Sequence, residues 1–265
     1  MEARHARGPY SAGMDTTQII LIALALVSAC ALQGAVGFGA GLFAIPLIVW
    51  IGGSLPSAIT ITMGGILVQT LWNIYRYRGH VGVREVLPLF WLRLLTMPIG
   101  VALLGMLVTT GPARVKQAVG GMLLLVLGVQ WLLRVTPRES VGLGWTVLAG
   151  GGSGLAAGLV GMGGPPVVLW VMAHDWSNKK SRSFLWLTYL LLIPFNLALL
   201  VYRFGDEIWG SLLLGLCLAP LVVAGSEAGM RLGALMSRQR LRSAALMLLF
   251  GLAVASILGP LLEHP

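Results

Sequence analysis

The sequence predicts an all-α polytopic membrane protein built as two repeats, and three observations carry that expectation. Hydrophobic residues make up 57% of the chain and charged residues only 10%, against roughly 25% charged in a soluble domain, so the chain cannot clothe a water-facing surface. Residues 16–75 contain no Asp, Glu, Lys, Arg or His. As one helix that stretch would measure about 90 Å against a hydrocarbon core of about 30 Å, so it must fold back within the bilayer. A glycine motif occurs twice, as GAVGFG at 34–39 and GLVGMG at 158–163, 124 positions apart.

The apolar residues come in runs, and the polar residue at every second position that a barrel lumen needs is missing, which makes the class helical. Charge-poor runs at 18–36, 39–51, 57–75, 86–108 and 117–133 form the first half. Runs at 141–160, 164–173, 183–202, 208–225 and 243–262 form the second. This divides one membrane domain into an N-terminal tail at 1–16, repeat 1 at 17–135, a linker at 136–140 and repeat 2 at 141–265. Asn73 and Asn196 recur 123 positions apart, each near the end of the run after the motif. An internal repeat in a membrane chain points to a transporter with its site at the repeat interface.

The second run of each half rises only about 15 to 20 Å, too little to span comfortably, so it reads as half of a broken or re-entrant pair. Three transmembrane helices follow it in each half. The loop after the third run carries Arg76, Arg78 and Arg84, whereas its counterpart sets Arg203 against Asp206 and Glu207. Corresponding loops then face opposite sides and the repeat is inverted. That arrangement follows if each motif pair makes a re-entrant hairpin or two crossings. It leaves Arg4 and Arg7 outside; a competing arrangement of eight spans in parallel repeats strands both basic loops of the second half outside.

The formal charge of +9 does not imply nucleic acid. Lys179, Lys180 and Arg182, like Arg238, Arg240 and Arg242, sit in short loops between apolar runs, where they set topology. Cys30 and Cys217 lie in separate apolar runs without metal-ligand spacing and read as buried small hydrophobes, so neither a metal nor a cofactor is expected. Val27-Ser28-Ala29-Cys30 has the form of a lipoprotein cleavage box, but cleavage there would start the mature chain inside the first motif.

Glycine permits positive φ, and both motifs sit where one apolar run stops and the next begins, so each marks a helix break inside the bilayer. Lipid cannot satisfy the freed N–H groups, so the break must face protein, water or a ligand. The helices restarting at Gly39 and Gly164 would aim their positive amino ends at the membrane centre and make an anion site. Close packing is the alternative use of small residues, and it is the expected role of Gly64-Gly65 and Gly120-Gly121.

GAVGFGAGLFAIPL and GLVGMGGPPVVL, with the polar third runs and the late Gly225, Gly229 and Arg231, resemble the paired motifs of the TauE/SafE sulfite exporter family. The resemblance covers nearly the whole chain. It implies movement of sulfite, sulfonates, sulfoacetate or related anions across the bacterial inner membrane. The chain departs from the family at Ala40, where a further glycine is common, and at Pro165.

The expected substrate-binding residues are Gln33, Gly37, Phe38, Gly39, Ala40, Asn73, Gly161, Met162, Gly163, Gly164 and Asn196. Amides can donate to an oxyanion, although bonding between helices is their alternative task, as it is for Gln69, Thr60 and Thr62. Arg93 interrupts an apolar run about 10 Å into its helix, where it either serves the pathway or snorkels to the surface. With His174 and Asp175, a protonatable pair, it is a candidate for gating or proton coupling. Trp72, Tyr75 and Tyr77 read as interfacial anchors. Glu227 and Arg231, four apart, fit a surface pair.

Gly151-Gly152-Ser153-Gly154 fits the GxSG pattern of intramembrane serine proteases, but such an enzyme needs a later histidine as base, and only His174 and His264 follow. The expected function is therefore a permease for a small anion, working by alternating access and not by catalysis. An anion channel is the alternative, and the partners are the anion, the bilayer and a coupling proton.

Overall fold

The computed structural model describes residues 15–36, 39–76, 78–132, 141–235 and 238–262. Gly37, Phe38, Tyr77 and His264 lie outside the described residues, as do the linker at 136–140 and most of the N-terminal tail. The described residues form ten helices and no strand: α1 Thr16–Val36, α2 Ala40–Trp50, α3 Leu55–Arg76, α4 Val83–Val108, α5 Pro112–Leu132, α6 Leu143–Val160, α7 Gly164–Met172, α8 Asn178–Phe204, α9 Glu207–Leu235 and α10 Arg238–Leu262. Eight are long and apolar enough to cross a membrane; α2 and α7, with 11 and 9 residues, are not among them. The protein is a multi-pass membrane protein.

Helix ends explain why three elements run longer than the charge-poor runs. The Ser177 hydroxyl accepts the Lys180 N–H at 3.3 Å and starts α8 at Asn178, ahead of the basic residues. Glu85 Oε1 accepts the Gly82 N–H at 3.2 Å and fixes the start of α4 at Val83. At its far end α9 carries Glu227 and Arg231 as an exposed pair 3.9 Å apart, which a helix tolerates once it leaves the apolar layer.

Each short helix doubles back beside the one before it. A side chain on Gly52, just beyond α2, would lie 3.6 Å from Gln18 Nε2 at the start of α1. Trp170 Nε1, near the end of α7, donates to Thr146 Oγ1 near the start of α6 at 3.0 Å. Elsewhere α4 lies along α6 and α1 along α9, with α3 against both α8 and α9 and α5 paired with α10. Small residues permit these approaches: Gly100 and Gly158 bring α4 and α6 together backbone to backbone, and Gly34 and Gly229 do the same for α1 and α9.

Two ion pairs tie helix ends on one face. Lys180 Nζ lies 2.8 Å from Glu85, joining the starts of α8 and α4, and Arg76 lies 3.3 Å from Glu227, joining the end of α3 to α9.

Two packing expectations need correction. Cys30 is buried, but Cys217 is exposed on α9. Gly64, Gly65 and Gly120 sit against neighbouring helices, whereas Gly121 has open space where a side chain would point.

Candidate functional site

A cavity of about 120 Å³ lies where the two helix breaks meet. Its wall takes Gln33 from α1, Gly39, Ala40 and Gly41 at the start of α2, and Gly161, Met162, Gly163 and Gly164 at the break between α6 and α7. Arg93 comes from α4 and Asn196 from α8, with Thr62 and Met63 of α3 opposite. The breaks touch: a side chain on Gly41 would stand 3.3 Å from the Gly161 carbonyl oxygen.

The chain turns at these points because glycine allows it. Gly39 has φ of 104° and Gly161 has φ of 70°, conformations that a Cβ disfavours. Gly163 has an ordinary φ of −72°. There the constraint is space, because an added Cβ would come within 2.6 Å of the Ser153 carbonyl oxygen and 2.7 Å of Ala157 Cβ.

The two short helices are unequal anion donors. The leading amides of a helix lack intrahelical partners, and at α2 these belong to Ala40 and Gly41, both in the cavity wall. At α7 the second and third residues are Pro165 and Pro166, which have no N–H. The α7 end contributes its dipole and the Gly164 amide.

Arg93 supplies a full charge. Because α4 starts at Val83, ten residues put Arg93 about 15 Å along the helix, at the middle of a core of about 30 Å. Its side chain is not snorkelling: the residue is 2% exposed. Its Nη1 donates to the Thr188 carbonyl at 3.4 Å, and the guanidinium lies 5.6 Å from the Tyr189 ring centroid. The backbone at Arg93 is pressed against Gly154 of α6, and Thr96 Oγ1 donates to the Gly151 carbonyl at 2.9 Å, one turn further on. Arg93 Nε has no partner, and neither do Gln33 Oε1, Asn196 Oδ1 and Thr188 Oγ1. Among the described residues no Asp, Glu or His lines the cavity. A buried cation beside unpaired amide oxygens in low dielectric is costly until an anion fills the space. Either end of a carboxamide can meet a ligand, since rotation exchanges donor and acceptor.

Nine of the expected residues thus share one wall: Gln33, Gly39, Ala40, Gly161, Met162, Gly163, Gly164, Asn196 and Arg93. Three lie elsewhere. Asn73 is buried two turns further along α3 and does not line the cavity. His174 sits past the end of α7 between Trp170 and Trp176, its ring 4.2 and 4.4 Å from theirs, and Asp175 is exposed beside it. Tyr189, Leu192, Ile193 and Asn196 line the wall from one face of α8. Their helical spacing was the signal that would have found Tyr189.

A family model described as sulfite exporter TauE/SafE matches residues 21–256. The chain belongs to that family. No curated protein and no solved structure matches it. A TauE/SafE protein is a membrane transporter and not an enzyme, which accords with the place of Ser153. That residue is fully buried, and its hydroxyl donates to the Gly163 carbonyl, holding the α6–α7 break. Ser153→Ala is expected to lower stability by about 1 to 2 kcal/mol, the cost of stranding a buried carbonyl. Thermal unfolding of the purified protein measures this, and a fluorophosphonate probe should leave the wild-type serine unlabelled.

Proposed function

We propose that the protein is a secondary permease for a small anion, sulfite or an organosulfonate, that holds its substrate between the two glycine breaks and works by alternating access. The observation that carries this reading is Arg93: a cation with almost no exposure in a cavity whose wall, among the described residues, offers no carboxylate. The amino end of α2 adds partial positive charge, and Gln33 and Asn196 supply direction. Thr62 supplies a hydroxyl at the same wall, while Met63, Met97 and Trp186 form an apolar side that suits a short carbon chain. Family membership, and not the geometry, supplies the sulfur.

An inverted repeat accounts for the packing. α1 meets α9 as α6 meets α4, and α3 meets α8. The ion pairs Glu85–Lys180 and Arg76–Glu227 tie the starts of α4 and α8 to one face and the end of α3 to α9 on it. The loops at 78–82 and 173–177 then share that face, which we take as the cytoplasmic side of a bacterial inner membrane. Rocking of one half against the other would expose the cavity alternately. A coupling proton finds no support in the cavity wall, because its expected carriers His174 and Asp175 stand outside it.

Uptake of labelled sulfite, taurine and sulfoacetate into proteoliposomes tests the reading. Saturable flux of at least one of them is expected. Conductance far above carrier turnover in planar bilayers would replace the permease by a channel, and no flux of any of the three would overturn the substrate class.

A further inference from the structure

One face of α3 is polar from the cavity to the surface. Thr62 and Ile66 line the cavity; Gln69, Asn73 and Arg76 follow at three- and four-residue steps, which keeps them on the same side of the helix. From Thr62 to Arg76 this row runs about 21 Å. Gln69 is 1% exposed and Asn73 3%, deep in a region where polar side chains are expensive.

The row is shut by contacts with α9. Gln69 Nε2 donates to Ser226 Oγ at 2.6 Å, one turn beyond the cavity residue Ile66, and Gln69 Oε1 has no partner. The backbone at Ser226 is in turn packed on Gly34, next to the cavity residue Gln33. Outside this bond, Arg76 and Glu227 make their half-exposed ion pair. Trp72 and Tyr75 are exposed on the outer side of the same turn, which places the end of the row at the membrane surface. The other half does not repeat the latch. At the offset of 123 that relates Asn73 to Asn196, Gln69 falls on Leu192 and Arg76 on Leu199.

We infer that this polar row is the route by which the anion passes between the cavity and the basic face, and that the Gln69–Ser226 hydrogen bond is its latch. The inference rests on the permease reading of the cavity. With the latch closed, the Asn73 amide is cut off from both the cavity and water. With it open, the Gln69 and Asn73 N–H groups become successive donors to a passing anion, and Arg76 draws it toward the surface.

Cysteine accessibility tests this. In a background with Cys30 and Cys217 replaced by Ala, Asn73→Cys is treated in proteoliposomes with methanethiosulfonate ethylsulfonate, an anionic reagent that does not cross lipid. Arg84→Cys and Thr110→Cys serve as reference positions for the two faces. Asn73→Cys should react slowly, and from the Arg84 face only. Adding Ser226→Ala should raise that rate by about tenfold, the effect expected for losing one hydrogen bond. An unchanged rate, or equal labelling from the Thr110 face, would overturn the route. Gln69→Ala is the second variant, and a single symmetric gel-filtration peak shows that each is folded. Labelling needs no transport, so the outcomes separate: uptake that survives Arg93→Gln sinks the cavity reading, whereas an indifferent labelling rate sinks the route.

Discussion

Arg93→Gln should lower anion uptake by about a hundredfold, the scale of losing a charge-assisted hydrogen bond in a water-poor site. Stability should move the other way or stay level. Arg93 is buried with one long bond to a backbone carbonyl and a stacked ring, and an incompletely compensated charge in the membrane destabilises the empty protein. A residue that served only to hold helices together would lose stability and transport in step. Arg93→Lys keeps the charge but not the planar fork, and is expected to retain about a tenth of wild-type uptake. Uptake in proteoliposomes and thermal unfolding in detergent, on all three proteins, give the comparison. Normal transport by Arg93→Gln would remove the charge from the mechanism.

Gly163→Ala should strain the α6–α7 break that forms part of the cavity wall. The new Cβ would stand 2.6 Å from the Ser153 carbonyl oxygen and 2.7 Å from Ala157 Cβ. Neither is the far end of a flexible side chain, so α7 or α6 must shift. Overpacking of this kind costs about 1 to 3 kcal/mol, and here it also moves the Gly163 carbonyl off the Ser153 hydroxyl. Gly39→Ala differs in kind. Its Cβ would find its nearest neighbour 3.8 Å away, but φ of 104° is strained for any L side chain, at about 1 to 2 kcal/mol. The expected order of thermal stability is therefore wild type, Gly39→Ala, then Gly163→Ala. A Gly163→Ala protein as stable as wild type would show that this break has room to relax.

The sequence revealed the site's position better than its chemistry. The glycines of both motifs were visible because only two repeated, proline-followed strings interrupt the apolar runs, and Gly39, Gly161 and Gly163 meet at one cavity. Arg93 was visible as an intruder, but its depth was not. Reading the helix from the first uncharged residue placed its start at 86, whereas Glu85 caps the helix from within and starts it at Val83. Those few residues separate a side chain near the surface from one at the centre. The pairing of Asn73 with Asn196 suggested two equivalent amides, yet Asn196 lines the cavity and Asn73 does not. Which face of a helix meets the cavity depends on packing, and no spacing in one chain reveals that. His174 and Asp175 looked like a pathway pair because they follow a short run. What holds His174 is a 2.9 Å contact of its Nδ1 with the Trp170 carbonyl oxygen and the tilted rings of Trp170 and Trp176, made by a turn that periodicity does not describe.

The pairing of α5 with α10 has a mechanical consequence. Trp50 at the end of α2 donates to Ser256 Oγ of α10 at 3.0 Å, packs over Gly259, and lies 4.8 Å under the Lys116 ammonium of α5. The short helix α2 is thus bolted to both peripheral helices, while α7 packs chiefly on α6 and α8. In the proposed rocking motion the two jaws of the site are therefore unequal. The jaw carrying the better backbone donors is the anvil, and the one with two prolines and no bolt is the part that swings.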